Sequence, residues 1–198
     1  ASIFFPVFGA FVGLISGLTP VIAHHYGAQE RREIRSVVRQ GFYWATLFGA
    51  LLLVLGALTV PMLVRALDLE PVVENITMEY LSYIAFGMIP IAPASVLRNL
   101  MDAHGKTRLT MFITVTVVPI NIVLNYIFMY GAFGIAPFGG AGAGLGAALS
   151  YTVFLLLTII VVLRMEQFKR YHVFSGFPRP VISDWRTQLK ICIPIGMT

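Results

Sequence analysis

Two asparagines, Asn121 and Asn125, lie inside a long apolar stretch of this chain, directly after Pro119. A spacing of four residues places both carboxamides on one face of a helix. At a depth in a membrane where water is scarce, such groups must find partners inside the protein or line a wet cavity. The pair is therefore the feature of this sequence that most resembles a binding site.

Asparagine in a membrane helix also joins neighbouring helices, through hydrogen bonds worth about 1 kcal/mol each. The residues alone leave both roles open. Pro119 favours a binding site, because transporters expose carbonyl groups to a cation or substrate where a helix is broken near polar side chains. We therefore take Asn121 and Asn125 as candidate cation- or substrate-binding residues and Pro119 as a candidate helix kink.

A run of glycines and alanines follows, and its segment GAGLGA (142–147) fits the G-x-G-x-x-A variant of a dinucleotide fingerprint. That fingerprint requires a preceding strand and a soluble βαβ unit, and the surrounding sequence predicts neither. Gly140 and Gly144, like Gly142 and Gly146, have the small-xxx-small spacing that lets membrane helices approach closely. The run predicts helix packing and no nucleotide cofactor.

The histidines do not predict a metal site. His24 and His25 are adjacent, so on a helix they point about 100° apart and cannot act as an i, i+4 pair of ligands. His104 and His172 also fall at loop positions, where interfacial or solvent-exposed histidine is expected. Cys192 is the only cysteine, which excludes an internal disulfide. We assign no metal ligand and no catalytic residue.

A basic face is predicted after the first apolar stretch, because Arg31, Arg35 and Arg39 recur every four residues. We expect these arginines on a short helix of their own. In a membrane protein such a face is solvated and contacts anionic lipid headgroups, at about 1 kcal/mol per cation.

The elements that position all these residues are predicted to be membrane helices. Hydrophobic residues make up 58% of the 198 residues and charged residues only 12%, too few to coat a soluble globule. Five apolar stretches are long enough to cross a bilayer core of about 30 Å; they cover residues 1–23, 42–64, 80–97, 109–131 and 141–163. These stretches lack Asp, Glu, Lys, Arg and His, which argues against an enzyme with its acid and base groups there.

The connections between these stretches predict the orientation. Of the 14 Lys and Arg residues, all but Arg65 fall in alternate connections. Basic loops collect on the cytoplasmic side, so we expect the loops at 24–41, 98–108 and 164–190 to be cytoplasmic. The same rule accounts for the net charge of +5 without a nucleic-acid partner. Residues 191–198 read as the start of another membrane helix, and the chain reads as part of a longer transporter.

Several segments resemble the multidrug and toxic compound extrusion (MATE) family, in its NorM-like branch. Residues 17–41 (GLTPVIAHHYGAQERREIRSVVRQG) are similar to the second helix and following loop of that family, and residues 97–108 (LRNLMDAHGKTR) to the end of its fourth helix. Residues 119–134 (PINIVLNYIFMYGAFG) and 139–151 (GGAGAGLGAALSY) resemble its fifth and sixth helices and are the most specific match.

The resemblance implies an all-α, polytopic membrane helix bundle: the amino-terminal lobe of a twelve-helix transporter, without its first helix. Residues 164–190 would be the linker to the carboxy-terminal lobe of the same protein. The implied activity is cation-coupled antiport, in which amphipathic or cationic small molecules are exported across the cytoplasmic membrane in exchange for Na⁺ or H⁺, with no cofactor. A lipid-linked precursor or polysaccharide flippase of the same superfamily is the alternative, although its clefts usually need basic residues that these stretches lack.

In the family, a cation-binding network joins an aspartate of the first helix to polar residues of the fifth and sixth. Asn121 and Asn125 match the fifth-helix positions and are carried over as candidates. Ala147 stands where relatives often have threonine, so this chain has no hydroxyl group at that position of the sixth helix. The acidic ligand is expected before Ala1.

Overall fold

The computed structural model describes residues 13, 15–66, 70–132, 134 and 137–173, and all regular structure among them is α-helical. The helices are α1 (Leu18–Gly27), α2 (Arg31–Ala66), α3 (Pro71–Phe86), α4 (Met88–Ala103), α5 (Thr107–Tyr130), α6 (Gly140–Arg164) and the single turn α7 (Glu166–Lys169).

Four helical segments are long and apolar enough to cross a membrane, at Arg31–Met62, Pro71–Ala103, Thr107–Tyr130 and Gly140–Arg164. The predicted all-α membrane fold is confirmed. Predicted stretches 80–97 and 141–163 lie within these segments, and 42–64 and 109–131 extend past them by only two residues and one residue. Most of 1–23 falls outside the described residues, as does everything after 173. Large apolar side chains such as Phe112 and Ile122 are exposed, as lipid-facing residues are.

The helices extend further into the basic connections than hydropathy predicts. Helix α2 begins at Arg31, so the expected short helix with Arg31, Arg35 and Arg39 is wrong: these arginines occupy the first turns of the spanning helix itself. Likewise, the predicted loop at 98–108 is non-helical only at 104–106. Hydropathy marks only where the apolar side chains end. The backbone hydrogen bonds of a helix can continue beyond that point into water, because arginine and glutamate are good helix formers.

The predicted stretch 80–97 is interrupted at Gly87, between α3 and α4. A β-carbon at this position would lie 2.8 Å from the Tyr151 ring and 3.0 Å from the α-carbon of Ala148, both on α6. A side chain here would force the Tyr151 ring and the α6 backbone to shift, so glycine lets the α3–α4 junction pack closely against α6.

The described helices divide into two compact units, the first built from the chain up to Phe48, Ala92–Met111 and the chain from Leu157 onward, and the second from Gly49–Ile91 and Phe112–Leu156. The first unit has a core of large side chains, including Trp44, Leu18, Leu97 and Leu100, all fully buried. The second unit relies on small residues of α6, where Ala141 and the glycines at 142, 144 and 146 are buried.

Candidate functional site

The two predicted asparagines form one hydrogen-bonded network with α6, which we call the asparagine network (Asn121, Asn125, Gly146 and Ser150). Asn125 Nδ2 donates to Asn121 Oδ1 over 3.0 Å. Asn121 Nδ2 donates to Ser150 Oγ over 2.9 Å, and Ser150 Oγ donates to the Gly146 carbonyl over 2.7 Å. All four residues belong to the second unit. The structure therefore places both carboxamides on one helical face, as predicted.

Helix α5 positions the pair and is continuous through Pro119. In a helix, the carbonyl of Val115 would accept a hydrogen bond from the backbone N–H of residue 119. Because proline has no N–H, this bond is missing. Asn121 lies two residues after Pro119, and Asn125 lies one further turn along. The missing backbone hydrogen bond is therefore close to both polar side chains. This arrangement fits the predicted role of Pro119, and the kink itself stays a prediction.

The glycine run of α6 lets that helix approach α5 closely. A β-carbon on Gly142 would lie 2.5 Å from the carbonyl carbon of Phe128. A β-carbon on Gly146 would overlap Asn125 Oδ1 and lie 3.0 Å from the backbone nitrogen of Asn125. Gly144 faces α3, where its β-carbon would lie 2.6 Å from the Tyr80 carbonyl oxygen. The prediction that this run packs helices together is confirmed.

One acceptor of the asparagine network stays open. Asn125 Oδ1 is buried and accepts no hydrogen bond from any residue in the described ranges. A buried acceptor without a partner costs about 1–3 kcal/mol, and nearly all such groups in native proteins are paired. The network therefore has one unused acceptor, which a cation or a hydrogen-bond donor would satisfy.

A second polar cluster lies in the first unit; we call it the loop cluster (Tyr26, Arg39, His104, Phe168 and Tyr171). His104 is buried, with Nδ1 2.7 Å from the Leu100 carbonyl oxygen and Nε2 2.7 Å from the Tyr171 hydroxyl. Its ring centroid lies 4.2 Å from that of Tyr26 and 5.3 Å from that of Phe168. Solvent exposure is therefore wrong for His104, because aromatic residues distant in sequence cover it, while an interfacial position stays a prediction.

Burial lowers the pKa of His104 below its ordinary value of 6.5, and the hydrogen bond to the Leu100 carbonyl opposes this effect. The neutral imidazole fits the observed contacts, because a carbonyl only accepts and the Nδ1 atom must then donate. Nε2 is left to accept from the Tyr171 hydroxyl. Both ring nitrogens are thus paired in the neutral form.

Arg39 completes the loop cluster. Its Nε donates to the Val173 carbonyl over 3.1 Å and its Nη2 to the His172 carbonyl over 2.8 Å. The side chain is buried, so the prediction of a solvated basic face is wrong at Arg39, whereas Arg31 is exposed as predicted. The cluster joins residues of all three basic connections, as expected if they share one side of the membrane.

The remaining histidines do not form a metal site with their described neighbours. His24 and His172 are exposed, and His25 Nδ1 lies 2.7 Å from Glu30 Oε2. Among the described residues, no three or more His, Cys, Asp or Glu side chains are placed together so that they could hold a metal.

Sequence reasoning did not identify Ser150 as part of the network. The available signal is its position: Ser150 is the first hydroxyl residue after the glycine run and lies one turn beyond Gly146. That signal is weak, because a serine in a membrane helix commonly bonds the carbonyl four residues before it and does nothing else. Only its distance to Asn121 shows a second partner.

Membrane-capable helices joined by a part-buried polar network define a multi-pass membrane protein. Residues 1–127 match the family model described as MatE, so the chain belongs to the MatE family. The resemblance drawn from the sequence is confirmed.

Relatives agree with this assignment. The chain is 37% identical over 195 residues to a probable multidrug resistance protein NorM of Bacillus thuringiensis subsp. konkukian (strain 97-27), covering 98% of this chain and 43% of that protein. The chain thus spans less than half the length of such relatives.

Solved structures share the fold. A eukaryotic MATE transporter, AtDTX14, matches with a TM-score of 0.79 at 15% identity, over 96% of this chain and 41% of its own. The MATE transporter NorM-NG, in a complex that includes a monobody, matches with a TM-score of 0.74 at 24% identity, over 99% of this chain and 43% of its own.

Proposed function

We propose that this chain is the amino-terminal lobe of a cation-coupled multidrug antiporter in the cell membrane, and that Asn121 and Asn125 help to bind the coupling cation. The observation that carries this proposal is the buried, unpaired Oδ1 of Asn125. A carboxamide oxygen is a suitable ligand for a hard cation and a good acceptor for a donor group. The family membership supplies the transport context.

The asparagines cannot supply the charge that coupling needs. They are neutral, and the apolar stretches of this chain contain no carboxylate. A carboxylate from the preceding helix would complete the site. If the coupling ion is Na⁺, Asn125 Oδ1 coordinates it beside that carboxylate. If it is H⁺, the carboxyl group carries the proton and donates it in a hydrogen bond to Asn125 Oδ1.

The remaining features follow from the same proposal. The exported compounds are amphipathic or cationic small molecules, as suits a relative named a multidrug resistance protein. No cofactor takes part, and the protein is a transporter rather than an enzyme. The carboxy-terminal lobe of the same protein is the main partner, reached through the linker at 164–190. The loops at 24–41, 98–108 and 164–190 face the cytoplasm.

The decisive test uses the full-length protein reconstituted in vesicles with ethidium as the exported dye. We expect Asn121→Leu to abolish ion-driven export while the protein still inserts and unfolds at a normal temperature. Asn75→Leu is the matched control, because Asn75 is exposed on α3 and its loss should leave export intact. Undiminished efflux by Asn121→Leu would overturn the assigned role. Transport of a lipid-linked precursor in place of ethidium would favour the flippase.

A further inference from the structure

The hydroxyl of Ser150 has a fixed direction in the asparagine network. Its oxygen lies 2.7 Å from the Gly146 carbonyl oxygen, a hydrogen-bond distance at which one of the two oxygens must donate. A carbonyl carries no hydrogen, so the single hydroxyl proton of Ser150 points to Gly146. Ser150 is buried, which keeps water from replacing either partner.

This direction determines the orientation of the first carboxamide. With its proton committed to Gly146, Ser150 Oγ can only accept from Asn121, so the Nδ2 end of Asn121 must face the serine. The Oδ1 end of Asn121 then faces Asn125 and requires a donor. Asn125 must therefore turn its Nδ2 toward Asn121.

We propose that Ser150 is a positioning residue for the cation site: it fixes both carboxamides so that Asn125 presents an oxygen, and not an amino group, to the incoming ligand. This inference rests on the proposed function and adds to it a residue of α6 that does not touch the ion. Were Ser150 to donate to Asn121 instead, both carboxamides would flip. Asn125 would then present an N–H group, which repels a cation.

Removing the hydroxyl should release this orientation. In Ser150→Ala, Asn121 Nδ2 loses its acceptor and the two carboxamides can adopt either arrangement. An ion that binds only one arrangement loses apparent affinity in proportion to the population of that arrangement. We expect the ion concentration for half-maximal export to rise about two- to tenfold, with the KM for ethidium unchanged and the maximal rate recovered at saturating ion.

The matched control is Thr152→Ala. Thr152 lies on the same helix and also donates to the carbonyl four residues before it, Ala148, over 3.1 Å, but it is exposed and the contacts described for it include no asparagine. This variant should leave the ion dependence unchanged. Ser150→Thr keeps a hydroxyl that can bond Gly146 and should restore the ion affinity. Ser150→Cys, with a weaker donor and acceptor, should give an intermediate value.

The experiment titrates Na⁺ at fixed pH and, separately, pH without Na⁺, in vesicles containing the full-length protein. Asn125→Leu is measured alongside. If Asn125→Leu changes the ion dependence but neither Ser150→Ala nor Ser150→Cys does, the positioning role is overturned and the proposed function stands. If Asn125→Leu itself leaves the ion dependence unchanged, the proposed cation site is overturned. If the Ser150 variants shift the half-maximal concentration in the Na⁺ titration alone, the coupling ion is Na⁺. If they shift it in the pH titration alone, the coupling ion is H⁺.

Discussion

The loop cluster and the asparagine network are both polar groups that join segments distant in sequence, yet they differ in how completely their buried atoms are paired. In the loop cluster, His104 uses both ring nitrogens and Arg39 donates to two backbone carbonyls. In the asparagine network, one buried oxygen of Asn125 is left open among the described residues. Burying an unpaired polar group is costly, so a closed cluster serves the fold and an open one is suited to a ligand.

The two regions also differ in the contacts that keep their polar side chains in place. Aromatic rings pack around His104, with the Tyr171 ring centroid 5.3 Å away. The asparagine network is instead held by backbone contact, because glycine at 142 and 146 brings α6 against α5. Both regions are packed closely enough for one added methyl group to be felt, but only the asparagine network contains a buried acceptor without a partner among the described residues. We therefore expect substitutions in the loop cluster to change stability and those in the asparagine network to change ion dependence.

The largest effect on stability is expected for Arg39→Met, which keeps the length of the side chain and removes its donors. The carbonyls of His172 and Val173 lose charged hydrogen bonds worth about 1.5–3 kcal/mol each. The free energy of unfolding should therefore fall by at least about 3 kcal/mol, twice the lower value for one bond, measured as a lower unfolding midpoint in detergent.

The ion dependence of export per folded molecule should not change in Arg39→Met. Arg32→Met is its control, because Arg32 is exposed near the same end of α2. A normal unfolding midpoint together with an altered ion dependence would assign Arg39 to transport. It would contradict the view that the loop cluster serves stability alone.

A smaller effect, on the ion site, is expected for Gly146→Ala. The added methyl group overlaps Asn125 Oδ1 and displaces the carboxamide, and overpacking of this kind costs about 1–3 kcal/mol. If that cost falls on ion binding, the ion concentration for half-maximal export rises roughly tenfold.

Gly56→Ala is the control for Gly146→Ala. Gly56 also lies in a helix, but a β-carbon there meets nothing within 4 Å. Alanine is a better helix former than glycine by about 1 kcal/mol, so Gly56→Ala should be neutral or slightly stabilising. Equal behaviour of the two variants would show that the contact with Asn125 is unimportant for transport.

The smallest effect is a pH dependence of stability. Because burial lowers the pKa of His104 below its ordinary value of 6.5, the unfolded chain binds a proton more readily than the folded one. The contribution of His104 to stability is present above about pH 6.5 and decreases as the pH falls toward the lower pKa of the folded state. His104→Gln should remove this decrease between pH 7 and 5 in unfolding measurements, and an unchanged profile would contradict it.

Much of the fold could be predicted from the sequence, because hydropathy and loop charge act locally. The membrane helices, the shared face of Asn121 and Asn125 and the packing role of the glycine run all follow from composition and spacing. Helix ends were less predictable, since α2 continues through charged residues to Arg31.

The sequence by itself determined that this is a membrane protein of the MatE family with two carboxamides on one helical face. Tertiary structure alone decided how they are paired. Asn121 meets Ser150, 29 residues away, and His104 meets Tyr171, 67 residues away. The first pair depends on how closely α6 approaches α5, and the second on how aromatic rings pack around His104. Both are contacts between segments distant in sequence, so the spacing of residues along one helix does not determine them. The role of Ser150 and the burial of His104 therefore emerge only in three dimensions.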